Sequence, residues 1–181
     1  MIGEPRVHGN GFIQVDLTST RRLHIWGHPD IPAQRTPTPL HDHTFGFISR
    51  VLLGTMTNVK YTFKSNLNGD YVVHKVHVRD REDTVLRPVD ERGCLFVESV
   101  RHWYCGQSYE MSPGEIHFSQ PQGLCATIIE KVGLTLSQGG PSPRVFVPVG
   151  IEPDNTFHRY DLTSDRLWAI VADVLYTAPI R

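Results

Sequence analysis

From Thr55 onward the side chains alternate in character. Thr55, Thr57, Val59, Tyr61 and Phe63 share one parity, and Met56, Asn58, Lys60, Thr62 and Lys64 share the other. Successive side chains of a strand point to opposite faces, so this run predicts a strand with one face toward a core or cavity and one toward water. Asn66-Leu67-Asn68-Gly69-Asp70 follows, and Asn-Gly tolerates the positive φ of a tight hairpin turn. Residues 71–78 return as the partner strand, and 79–83 read as a charged loop.

The same grammar recurs along the chain. Residues 9–17, 21–26, 94–100 and 124–130 read as further strands, and 144–149 as an edge strand that tolerates Pro148. Prolines at 29, 32, 37 and 39 give an irregular lead-in to residue 40, and residues 137–143 read as a loop. One helix is expected: Leu167, Ile170, Val171, Val174 and Leu175 follow helical spacing, with Thr163 or Ser164 as cap and Pro179 beyond the stop. Many short strands with one terminal helix predict an all-β jelly roll or small barrel, with the helix packed on its outside.

A length of 181 residues suits one domain, and a chain of this size buries roughly 70% of its unfolded surface. The net charge of −1 and the lack of a basic cluster exclude a phosphate-backbone partner, so no nucleic acid is expected. No apolar run reaches membrane-spanning length, and the first residues carry no apolar leader, so no membrane partner is expected. Cys94, Cys105 and Cys125 are odd in number and lack CxxC spacing, which is no disulfide framework. A reducing cytoplasm is the expected compartment.

Chemistry concentrates in two segments. In Pro39-Leu40-His41-Asp42-His43, two histidines one residue apart share a face if the backbone is extended. Ser112-Pro113-Gly114-Glu115-Ile116-His117 delivers a third histidine into a strand after a Pro-Gly turn. Imidazole is a ligand common to zinc, iron, copper and nickel sites. Asp42 should point away from the pair and accept a hydrogen bond behind it.

Together these segments resemble the two motifs of the cupin superfamily, the double-stranded β-helix barrels. His41-x-His43 with Gly54 eleven residues on fits the first, and Gly106 followed by Pro113-Gly114-x2-His117 fits the second. The resemblance implies a single cupin domain over 1–181, with a core barrel at about 40–135 and terminal extensions packed on it. It implies His41, His43 and His117 as metal ligands. The glutamate usual in the first motif would fall at Phe47 or Ile48, so the set has no carboxylate. Three histidines without a carboxylate resemble the thiol dioxygenases. The Ser-x-His-x-Tyr relay usual in that group has no counterpart in residues 126–132.

The expectation is a mononuclear non-haem iron(II) dioxygenase of a small molecule, with a thiol among the substrates implied and dioxygen as co-substrate. Zinc, nickel and manganese suit the same ligands. The alternatives are a metal-dependent cupin without redox chemistry (an isomerase, lyase or hydrolase) and a non-catalytic cupin that binds a small ligand. Phe45, Phe47, Ser49 and Ser119 are expected to line the substrate pocket, and Tyr61 to donate a hydrogen bond to a bound oxygen. Arg50 is expected in solvent, Arg35 lies near the motif, and His24, His28, His74, His77 and His158 are read as surface or satisfied core histidines. The resemblance also implies a homodimer through outer strands.

Overall fold

The computed structural model describes residues 2–31, 39–78, 84–133, 142–153 and 162–178. Arg35, Pro37, the charged loop 79–83, residues 137–141, His158 and Pro179 lie outside the described residues. Eleven strands and one helix are described. They are β1 (Arg6–His8), β2 (Phe12–Asp16), β3 (Arg21–Trp26), β4 (Gly46–Leu53), β5 (Thr55–Ser65), β6 (Tyr71–Val78), β7 (Thr84–Tyr104), β8 (Ser108–Met111), β9 (Ile116–Pro121), β10 (Cys125–Val132), β11 (Arg144–Pro148) and α1 (Ser164–Thr177). The chain is all-β with a C-terminal helix, as its alternation predicts.

Two antiparallel sheets form the body, one in the order β1-β2-β3-β10-β4-β8 and the other β11-β6-β7-β5-β9. Among the described residues, the expected jelly-roll barrel is two layers that do not hydrogen-bond to each other into one closed cylinder. Strands from outside residues 40–135 are integral to both layers: β3 pairs along β10, and β11 pairs along β6. The Asn68-Gly69 turn closes the β5–β6 connection, and β7 runs on long enough to pair with both of them. Gly54 joins β4 to β5 at a φ of 73°, and a Cβ there would collide with the carbonyl oxygen of Leu124. Only glycine fits that corner.

The helix starts at Thr163, whose hydroxyl accepts from the Arg166 backbone N–H. Leu167, Ile170, Val171 and Val174 pack onto Ile13, Val15, Leu23, Ile25 and Ala126 of the first sheet. Leu175, expected on that stripe, is 39% exposed instead, because the buried face is centred on Val171 and Val174. The helix covers the outer face of β2, β3 and β10. Their inner face, with Phe47, Met56 and Tyr109 from other strands, surrounds a cavity between the sheets.

Candidate metal centre

His41 sits between the two edges of the second sheet. It bridges His117 of β9 on one side and Val145 of β11 on the other, both antiparallel. The His41 N–H donates to the His117 carbonyl at 3.3 Å, and the His117 N–H returns to the His41 carbonyl at 3.0 Å. Residues exchanging both bonds stand directly opposite and project to the same side. This register pair brings the two sequence segments together. Asp42 locks the other side: its carboxylate, 5% exposed, accepts the Arg144 backbone N–H at 2.6 Å and Arg144 Nε at 2.7 Å. The expected backing role of Asp42 is therefore to tie the histidine segment to β11.

The three imidazoles converge. Ring centroids lie 4.8 Å apart for His41–His43, 4.7 Å for His41–His117 and 5.1 Å for His43–His117. One nitrogen from each lies within 4.8 Å of the others, the one such three-residue group among the described residues. Hydrogen bonds settle which nitrogen faces inward on two of them. His41 Nδ1 donates to the Pro39 carbonyl at 2.8 Å, and His117 Nδ1 to the Glu115 carbonyl at 3.1 Å. With Nδ1 carrying the proton, Nε2 keeps a lone pair for a ligand. Burial is the main cause that holds all three below the ordinary histidine pKa, His117 at about 3 and His43 well down, the latter with help from its two neighbours. At neutral pH the rings are uncharged, the form that binds metal.

These donors fit a divalent transition metal. Among the described residues no carboxylate joins them: Phe47, 3% exposed, stands beside the cage, its ring 5.4 Å from His43 and 6.0 Å from His117. The cavity beside the rings measures about 100 Å³. A cavity of about 150 Å³ takes benzene, so this space suits a small organic molecule.

The structure brings Phe45, Phe47 and Ser119 to the cavity with the three histidines. Ser49 is fully buried but lies off it, one row along β4, with no hydrogen-bond partner for Oγ. Tyr61 is not brought to the cavity either. Lys60, not Tyr61, is the register partner of His117, so Tyr61 faces the other way with Ile116 and packs near Leu40 and Phe146. The tyrosine at the cavity is Tyr109, packed edge-on to Phe47 at 6.5 Å. Burial raises its pKa, and its hydroxyl lies among Asn58, Ser49 and Ser119. Arg50 is exposed, as expected.

Reasoning from the sequence missed one wall. Gln14, Arg22, His24, Trp26, Thr127 and Lys131 also line the cavity. His24 is no surface or satisfied histidine: it is 7% exposed, and among the described residues neither ring nitrogen has a hydrogen-bond partner. The signal was present in the shared parity of Arg22, His24 and Trp26, opposite to Leu23 and Ile25. Alternation alone assigns the polar parity to solvent. Here the apolar parity lies under α1 and the polar one faces inward.

Fold and site together define a two-sheet β protein with a three-histidine cage at the edge of its inner cavity. Among solved structures it is similar to hydroquinone 1,2-dioxygenase from Sphingomonas sp. TTNP3 with 4-hydroxybenzoate bound, at 8% identity and a TM-score of 0.33, over 65% of this chain and 63% of that one. It is similar as well to the hydroquinone 1,2-dioxygenase PnpCD in complex with Cd2+ and 4-hydroxybenzonitrile, at 12% identity and a TM-score of 0.33, over 66% of this chain and 62% of that one. The chain thus spans less than two thirds of the length of either. No protein-family model matches it, and no curated protein does. The functional reading accordingly rests on the site's own geometry. No helix among the described residues is long and apolar enough to cross a membrane.

Proposed function

We propose that His41, His43 and His117 hold one divalent metal ion, iron(II) in the first instance, and that the protein is a mononuclear dioxygenase of a small organic molecule. The observation that carries this is the convergence of three neutral imidazoles, two with Nδ1 committed to backbone carbonyls, at the edge of a mostly apolar cavity. A metal held by neutral ligands alone keeps its full dipositive charge, and iron(II) in that state supplies a meeting point for dioxygen and an anionic substrate. The chain's own residues do the rest. Asp42 and the His41–His117 backbone pair hold the ligands in register. Phe45 and Phe47 exclude water from the inner side of the cage. Tyr109 packs edge-on to Phe47 in the wall of the same cavity.

Metal analysis of the wild type beside His117→Ala tests the site. One ion per chain is expected in the wild type, with affinity at least about 100-fold weaker in the variant; equal metal content in both would remove His117 from the site. Oxygen uptake by iron-loaded protein against thiols and small organic acids then tests the reaction. Turnover that persists with zinc and without oxygen would instead favour a metal-dependent cupin with no redox step. Nickel and manganese belong in the same series.

A further inference from the structure

The wall opposite the three histidines is built across three strands. Gln14 of β2, His24 of β3 and Thr127 of β10 are direct register partners, and all three line the cavity. They are 4%, 7% and 1% exposed, a transverse polar row on the inner face of the first sheet. The next row is Phe12, Trp26 and Cys125. Among the described residues, both His24 ring nitrogens and the Trp26 indole N–H lack a hydrogen-bond partner, and the two rings lie 6.1 Å apart. A buried donor left unpaired costs about 1–3 kcal/mol, so two side by side in the lining of one cavity mark a place where something is meant to accept.

The surrounding charge says what. Arg6 and Arg22 share the single carboxylate of Asp16, at 2.8 Å and 3.0 Å, which among the described residues leaves one positive charge uncompensated. Lys131, beside Arg22 on the same wall, adds another, its ammonium 4.7 Å above the Phe45 ring. Paired N–H donors under net positive charge suit an oxygen anion, and a carboxylate offers two acceptor oxygens at once. We infer that His24 and Trp26, backed by Gln14, Thr127 and Lys131, form a carboxylate-binding end of the cavity, so that the substrate is a small organic acid held between this wall and the three histidines. The inference rests on the proposed metal site for its reacting end, but the wall makes its own contacts.

Equilibrium binding of sodium propanoate to the full chain tests it, followed by NMR of the indole and imidazole N–H signals, in zinc-loaded and in chelator-treated protein. Saturable binding of propanoate that moves the Trp26 signal is expected in both forms, with propanamide at least about tenfold weaker. His24→Gln and Lys131→Met should each weaken propanoate about tenfold while zinc content is unchanged. Lys131 is half-buried, so its variant keeps the fold. The inference is overturned if propanoate does not saturate, if propanamide binds as tightly, or if both variants bind like the wild type. Failure of zinc binding with propanoate binding intact would overturn the metal reading alone.

Discussion

On strands β2, β3 and β10, Ile13, Ile25 and Ala126 form one register row, and Gln14, His24 and Thr127 form the next. All six are buried, the first three at 0% exposure. The first row lies under α1 in an entirely apolar layer. The second faces the cavity with its imidazole nitrogens unpaired. Folding alone explains the outer row, since removing apolar surface from water stabilises by about 25 cal/mol per Å². It does not explain the inner row, where both His24 ring nitrogens are out of reach of water and have no partner among the described residues. A sheet with one face set for stability and the other set against it is the pattern expected where the inner face serves a ligand.

The largest expected difference between the faces is in acid. His8 and His117 are each lowered to about 3, mainly by burial, and His24 and His43 lie well below the ordinary value for the same first cause. In unfolded chain these groups take up protons near pH 6.5. Between about pH 6.5 and 3 the unfolded state therefore binds more protons, and stability falls as pH falls. Above pH 6.5 both states are neutral and these groups contribute no slope. The buried imidazoles of His24 and His117 can each supply up to about 1.4 kcal/mol per pH unit within that window, and the half-buried His8 and His43 less. Chelator-treated protein should lose several kcal/mol between pH 7 and 5 in denaturant melts. A flat profile over that range would mean that the inner face is open to water after all.

Next in size is the outer face. Ile25→Ala should cost about 2–5 kcal/mol through lost burial and the cavity left beneath α1. That loss should be independent of pH, because no titrating group belongs to this layer. The variant should still bind metal, since Ile25 points away from the histidines. Loss of metal binding at temperatures where the variant stays folded would show that the two faces are coupled.

How far the sequence alone revealed this comparison depends on which face is considered. The strands, the Asn68-Gly69 turn, the helix and its Thr163 cap follow from local periodicity and turn chemistry. The histidine trio follows from two short segments that each carry their own turn or proline signal. What periodicity does not contain is which parity of a two-faced strand meets the interior. On β5 the parity bearing Lys60, not Tyr61, proved to be the one opposite His117. On β3 the parity of His24 and Trp26 proved to face the cavity because α1, distant in sequence, covers Leu23 and Ile25. Both errors have one cause: alternation fixes two faces but leaves their neighbours to long-range pairing.

The smallest effect expected separates the two explanations of His24 most sharply. If His24 were a structural residue, its replacement by an apolar side chain of similar size would remove interactions and destabilise. Neither ring nitrogen has a partner to lose, and the ring's contacts with Phe12 and Trp26 are apolar surface that leucine largely retains. His24→Leu should therefore raise stability by about 1 kcal/mol, through relief of an unpaired buried polar group. The measurement belongs near pH 7.5 in metal-free protein, where imidazole is uncharged in both folded and unfolded chain and no proton uptake enters the difference. A loss of more than about 1 kcal/mol there would show the inner row to be part of what holds the fold. A gain accompanied by weaker propanoate binding would show stability given up at this position for recognition.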